Sequence, residues 1–302
     1  MKSLIYRFIY NRHINFILRN INKFLQQLFK FKLPPAGKLN IKLKNGRTIQ
    51  LYTNQTDYVA FCVFWKGIYN YEYTEIFEDL IRKCDGFIDI GSNAGLYSII
   101  GAVSNDKLKI LAFDPTDSAA FYFNKNINEN DISRQIIYNQ CAVSDANGSI
   151  TFFKVKNPKY PFLQYNLGGS SGFVEKPDYF DELHVKKIRL DDFILQKHPD
   201  MRIDFVKIDA ENAEPLILKG MQEIIRINRP IIVCEIMFDR VIKELENAFS
   251  NINYIFYFHK GRELIKVTSL FEKQKFLDVR NCFFVPFEKE HLVSAWTATG
   301  NR

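Results

Sequence analysis

Four carboxylates stand where short apolar runs end or nearly end: Asp89 inside "FIDI", Asp114 closing "ILAFD", Asp209 closing "DFVKID" and Glu235 closing "PIIVCE". Two more acids, Glu211 and Glu214, follow Asp209 in "KIDAENAE". A positioned carboxylate that accepts a proton from an attacking hydroxyl is worth roughly 10²- to 10⁴-fold in rate. A carboxylate that takes no part in the chemistry holds ribose hydroxyls or caps the helix that follows. The candidate catalytic residues are Asp209 or Glu211 as the proton acceptor and Glu235 on the crevice wall, with Glu214 as orienter or merely the organiser of its turn. Carboxylates also ligate hard cations, but no histidine cluster accompanies these, and no metal is assigned.

The first acidic run leads into "GSNAGLYS", residues 91–98. Gly91 and Gly95 let the backbone double back and approach a ligand with no side chain in the way, and the helix that follows presents free N–H groups. A dinucleotide site would read G-x-G-x-x-G; here Leu96 follows Gly95, which disfavours a pyrophosphate. Asp114, 19 residues beyond Gly95, is placed to accept bonds from both hydroxyls of a ribose. A nucleoside without a diphosphate suits this pattern. S-adenosylmethionine is such a molecule, its zwitterionic end held by the turn (Gly91, Ser92, Asn93, Gly95) and by Asp89.

These residues need a frame that brings strand ends together. The pattern predicts strands at 87–90, 109–113, 136–142, 204–208 and 230–234, and helices near 95–103, 117–130, 190–197, 213–227 and 239–249. Two late aromatic strands, "NYIFYFH" and "NCFFVPF", follow. Short continuous apolar strands separated by helices make a parallel sheet covered on both faces, with ligands beyond the carboxyl ends of the strands. The acids thus share one crevice. Ahead of this, "KLNIKLKNGRTIQLY" alternates around Asn45-Gly46 and predicts a hairpin over 38–52. The aromatic stretch from Tyr58 to Arg82 turns helical in "YEYTEIFEDLIRK" and reads as packing, since no basic residues interleave its rings to stack bases.

At 302 residues, 47% hydrophobic and 25% charged, the composition is that of a globular protein of one large or two small domains. The net charge of +7 is unevenly spread. No acid occurs up to Thr56, where 11 basic residues lie; the rest sets 30 basic against 34 acidic residues, a balance of −4 that argues against a polyanion-binding body. Leu4, Phe8, Ile14, Ile17, Leu18, Ile21, Phe24, Leu25 and Leu28 recur at three- and four-residue steps opposite Arg19, Lys23 and Lys30. They predict one amphipathic helix ending before Pro34 and Pro35. It packs on the body, lies through residues 1–33 on an anionic membrane surface, or meets a protein partner. The five cysteines are dispersed and read as buried free thiols of a reducing compartment. No apolar stretch has the ~20 residues of a membrane span, and Arg7, Asn11 and Arg12 interrupt any signal-peptide pattern. The expected location is cytoplasmic, at or near the inner membrane face.

"FIDIGSNAGLYS", "ILAFDP", "NQCAVSDANGSITF", "IRLDDF", "VKIDAENAEPLILKG" and "RPIIVCE" occur in the order and roughly the spacings of the FkbM-type S-adenosylmethionine-dependent methyltransferases, which the chain resembles over Gly86 to Met237. The resemblance implies a class I methyltransferase (Rossmann-like) α/β fold with a doubly wound, mostly parallel sheet, here preceded by the amphipathic helix and hairpin. It implies O-methylation of a sugar, a glycan or a related natural product, with cofactor contacts that include Ala142 and Asp209. Domain bounds follow: 1–56 accessory, 57–290 methyltransferase with its motif core at 86–237, 291–302 tail. Two departures stand out. Asp114-Pro115 replaces the usual Glu-Pro and is one methylene shorter. Asn212 replaces a glycine: if that position needs positive φ, Asn is well tolerated; if it needs closeness to substrate, the pocket narrows.

"NPKY", residues 157–160, resembles the Asn-Pro-Pro-Tyr of amino methyltransferases but falls before the fourth strand and reads as a loop. "NLGGSSGF", residues 166–173, reads as a substrate cover or cofactor edge. Among the isolated histidines only His259 is placed to face the crevice. Two other functions fit the same residues: a membrane-surface adaptor that keeps the fold without turnover, and RNA methylation, which the −4 body disfavours and for which no nucleic-acid partner is expected.

Overall fold

Asn11 interrupts the first helical pattern, and the chain builds two helices where the periodicity predicts one. The computed structural model describes residues 2–28, 30–155, 157–167, 180–236 and 241–297. α1 (Lys2–Ile9) ends at Tyr10, and Asn11, in extended backbone, accepts a hydrogen bond from His13 N to start α2 (Arg12–Phe24). An N-cap satisfies a helix start, so this one residue splits the pattern, and α2 stops at Phe24, short of the two prolines.

β1 (Gly37–Lys42) and β2 (Thr48–Thr53) form the expected antiparallel hairpin, with Gly46 at φ +84 in its turn. α3 (Tyr58–Lys66) and α4 (Thr74–Ile81) lead into β3 (Gly86–Ile90), α5 (Leu96–Ser104), β4 (Lys109–Phe113), α6 (Asp117–Glu129) and β5 (Ile136–Asn139). Asn126 in α6 and Asn130, its C-cap one turn on, bond both the N–H and the C=O of Tyr52 and Gln50, so α6 seals the free edge of β2.

The strand expected over 136–142 divides. β5 leaves the large sheet at Asn139, and β6 (Ala142–Ser144) joins a second sheet with β7 (Gly148–Val155) and β8 (Phe180–Arg189), in the order β6-β8-β7. The sequence pattern missed this layer, because its strands find partners with each other and leave no alternation of strand and helix to see. After α7 (Leu190–Lys197) and β9 (Phe205–Ile208), the helix expected over 213–227 breaks into α8 (Glu214–Gly220) and α9 (Gln222–Ile227). Gly220 lies so close to β6 that a Cβ would stand 2.1 Å from Ser144 O. β10 (Ile231–Glu235) and α10 (Ile242–Asn247) follow; the start of the expected 239–249 helix lies outside the described residues. β11 (Tyr254–Lys260), the unforeseen β12 (Glu263–Val267), and β13 (Asn281–Pro286) close the sheet. α11 (Glu290–Val293) packs back with Val293 buried, and Trp296 Nε1 donates to Asp79.

The large sheet runs β12-β11-β13-β10-β9-β3-β4-β5. β10, β9, β3, β4 and β5 are mutually parallel, and β13 lies antiparallel to both its neighbours. Phe87, Phe205 and Phe283 pack with α4 and α5 on one face; Ile88, Val206 and Phe284 pack with α7 to α10 on the other. β3 and β9 wind away from each other, and that reversal is where a doubly wound sheet opens its crevice.

Candidate active site

The parallel register of β3 and β9 sets Asp89 opposite Lys207, on the face that holds Phe87 and Phe205 two residue pairs earlier. Both side chains are buried, at 1% and 5% exposure. Lys207 Nζ lies 3.3 Å from Asp89 Oδ1 and 3.6 Å from Asp209 Oδ2, and it donates to Gly91 O at 3.0 Å and Ile90 O at 3.4 Å. Burial pulls the ammonium pKa down, but Asp89 and Asp209 more than reverse this and raise it. Asp89 Oδ2 accepts from Ser98 Oγ at 2.7 Å. Asp89 is therefore sealed beneath the turn, which corrects its expected role at a ligand's amino end: both its oxygens face protein partners.

The turn itself is small for the protein's sake. Gly91, at φ +72, carries its Cα where a Cβ would lie 1.7 Å from Asp209 O, and a Cβ on Gly95, at φ +88, would lie 2.2 Å from the Phe123 ring. The two glycines admit a neighbouring strand end and an aromatic ring; Gly91 also lines the cleft, whereas Gly95 lies outside it, which corrects the expectation that Gly95 clears space for a ligand. Gly91 N and Ser92 N both donate to Phe113 O, and Asn93, at φ 47, donates its N–H to Asp114 Oδ2. Asp114 Oδ1 accepts from Thr116 N and Thr116 Oγ1. Three of about four acceptor sites of this carboxylate are thus taken, leaving room for one ribose hydroxyl and not two. Burial raises the Asp114 pKa against these bonds.

Beside the strand ends lies a cleft of about 1190 Å³ with its mouth included. Gly91, Asn93, Asp114, Ala142, Asp209 and Glu211 line it, joined by the apolar Phe113, Val143, Ile150, Phe152 and Ile217 and by the polar Ser118, Lys154, Asn166 and Lys187. Asp89, Ser92, Gly95, Glu214 and Glu235 lie outside the lining. Ser118 Oγ is buried and has no hydrogen-bond partner among the described residues. Of "NLGGSSGF", Asn166 and Leu167 reach the cleft, and residues 168–173 lie outside the described residues. "NPKY" is a turn, with Tyr160 N bonded to Asn157 O. His259 packs edge-on against Tyr73, away from the lining, and burial pulls its pKa down to about 4.

The acids after β9 and β10 form one electrostatic group. Glu211 and Asn212 occupy consecutive left-handed positions, φ 50 and 79. Asn212 therefore meets a conformational need, and it does not line the cleft. Glu214 Oε1 accepts from Ala210 N and Asn212 N, at 3.2 Å each, and so ties the turn. Burial first, then Asp209 and Glu214, push Glu211 up to about 7. Burial and the nearby Asp209 and Glu211 push Glu235 up to about 9, and its side chain hydrogen-bonds Asp209. Glu72, accessible at the surface yet walled in by tyrosines, is pushed up to about 7 by burial and by Asp209, and accepts from Tyr97 O–H at 3.2 Å. Among the described residues no three of these acids, with any histidine or cysteine, group as a metal ion would require. Sequence reasoning missed Lys207 and Glu72. A lone cation inside the apolar strand "DFVKI" was the available signal for Lys207; Glu72 had none.

A family model described as the methyltransferase FkbM domain matches residues 89–261. Methyltransferase sdnD of Sordaria araneosa is 28% identical over 166 residues, which cover 45% of this chain and 60% of that protein. A crystal structure of an FkbM methyltransferase from Methylobacillus flagellatus is 13% identical at a TM-score of 0.44, covering 75% of this chain and 52% of that one. The METTL16 methyltransferase domain is 15% identical at a TM-score of 0.44, covering 82% and 86%. The chain thus spans about 60% of its curated relative and 52% of the FkbM structure.

Proposed function

The chain belongs to the FkbM methyltransferase family and has a class I methyltransferase fold, and from that premise we propose that it transfers a methyl group from S-adenosylmethionine to a hydroxyl of a sugar, a glycan or a related natural product. The residues of the cleft fit that donor. Asp114 has one acceptor site left for a ribose hydroxyl, Ser118 Oγ is a buried group in want of a partner, and Phe113, Val143 and Phe152 offer apolar walls to a base. When bound, the donor supplies a methyl carbon already activated by the sulfonium, so alignment and exclusion of water account for much of the acceleration.

The protein must still accept the hydroxyl proton, and Glu211 is the base. It lines the cleft, its pKa of about 7 sits near working pH, and two left-handed residues hold it on a strained turn of the kind found at functional sites. Asp209 flanks it, held by Lys207 and by Glu235. Glu235, protonated below about 9, is no base at neutral pH and acts through Asp209. The poise of Glu211 on the cleft wall carries this reading. Its test is methyl transfer against pH: kcat/KM of the wild type should climb through about pH 7 to a plateau, and Glu211→Gln should lose both that limb and most of the rate. The acceptor class is tested by mass spectrometry of glycans made with and without the protein, where one CH₂ per site should vary with its presence.

A further inference from the structure

We propose that the two N-terminal helices form a docking surface for an anionic lipid bilayer. α2 is attached to the body by its polar face. Asn15 and Arg19 are buried at 0% and 2% exposure. Asn15 Nδ2 donates to Pro34 O and its Oδ1 accepts from Ala36 N; Arg19 donates to Ala36 O and Lys38 O at 2.8 and 2.6 Å. Asn22 Oδ1 accepts from Leu33 N, and Lys23 Nζ donates to Phe64 O. At 100° per residue, Ile17, Ile21 and Phe24 fall on the opposite side, while Phe16 stays beside the polar face with its ring against the Arg19 guanidinium. Ile17, Ile21 and Phe24 are 58%, 51% and 87% exposed, and Leu4 and Phe8 of α1 are 71% and 63% exposed. A helix that packs for its own stability turns its apolar stripe inward. This one displays it, and an exposed apolar patch of this kind marks an interaction surface.

Charge selects the occupant. Residues 1–56 contain no acid, and Lys2, Arg7, Arg12, Lys30 and Lys32 are exposed around the apolar ridge. Beside α2 runs a groove lined by Arg19, Lys23, Lys38 and Lys42, with Lys38 shared with Glu129; within it Arg19 Nε is buried with no partner among the described residues. An apolar ridge flanked by cations matches acyl chains beneath phosphate headgroups. A second copy of the chain would instead set its like charges against these. α1 also touches the cleft's own segment: Tyr6 and Tyr10 stack edge-on with Tyr160, and Arg7 lies over Phe162, in the run that continues to Asn166 and Leu167 of the lining. A bilayer on this face lies beside that rim.

Sedimentation of the full chain with vesicles of phosphatidylcholine plus phosphatidylglycerol, against pure phosphatidylcholine, tests this without reference to turnover. Partition onto the anionic vesicles should exceed that onto neutral ones at least about tenfold and weaken with salt. The Ile17→Ser, Phe24→Ser double variant should lower it by roughly tenfold or more, with circular dichroism and melting unchanged because both side chains are exposed on the outward side of α2. Lys30→Gln should cost roughly fivefold. Equal partition onto both vesicle types overturns the proposal, as does an Ile17→Ser, Phe24→Ser variant that binds like the wild type. A concentration-dependent dimer abolished by that variant, with no vesicle binding, would assign the face to a second copy and equally overturn it.

Discussion

Glu211 and Glu235, at the ends of the neighbouring strands β9 and β10, are given different roles by the proposed chemistry. Both are raised by burial and by Asp209, but one to about 7 and the other to about 9. The Glu211→Gln variant should therefore lose roughly 10²- to 10⁴-fold in kcat/KM, whereas Glu235→Gln, which keeps a neutral group against Asp209, should retain most of the activity at pH 7. Steady-state kinetics across pH 6 to 9 separate the two; comparable losses in both would defeat the assignment. Asp114→Ala should weaken binding of S-adenosylhomocysteine by about 10- to 100-fold, the worth of one hydrogen bond to a charged group. Calorimetry showing an unchanged dissociation constant would remove Asp114 from the donor site. At this scale the sequence displayed the acids by type and by their place at run ends. It could not display that Asp89 is buried against Lys207 or that Asp114 is mostly occupied by Thr116 and Asn93, because those depend on register between strands about 120 residues apart and on turn geometry.

At the scale of elements, Lys207 joins β9 to the end of β3 and to the turn that follows it. Its ammonium meets Asp89, Asp209 and two carbonyls at the end of β3. Lys207→Met leaves Asp89 as an uncompensated buried charge, so it should lower stability by about 3–5 kcal/mol, measured by denaturant unfolding. A loss below about 1 kcal/mol would show that the pair is not a structural clamp. The alternation of strand and helix from Gly86 to Glu235 was legible because each strand is a short apolar run bounded by turn residues. The β6-β8-β7 layer was not, since its strands carry mixed polarity and pair only with one another. That layer supplies Val143, Ile150, Phe152, Lys154 and Lys187 to the cleft, so this side of the wall, Ala142 apart, was invisible from sequence. The split of α1 from α2 hinged on one capping asparagine, and the outward turn of the apolar face on polar contacts with residues 33–38. Among the described residues no helix is long and apolar enough to cross a membrane.

For the whole molecule, the acids around Asp209 make stability depend on pH in a definite direction. Glu72 and Glu211 are raised from 4.5 to about 7 and Glu235 to about 9, so the folded chain keeps protons that the unfolded chain releases. Stability should fall as pH rises from about 4.5 to 7, and continue to fall more gently to about 9 as Glu235 ionises. Thermal unfolding at intervals over that range checks the slope, and Glu235→Gln should flatten its upper part; a slope of the opposite sign would mean that the group is not charged as described. Of this group Asp209 and Glu211 line the cleft, which makes the placement of the donor the claim on which the rest depends. A crystal structure with S-adenosylhomocysteine decides it most directly. The ribose should lie against Asp114, the base between Phe113 and the β6–β7 wall, and the sulfur should face Glu211. The nucleoside bound anywhere else, with that cleft left open, would contradict it.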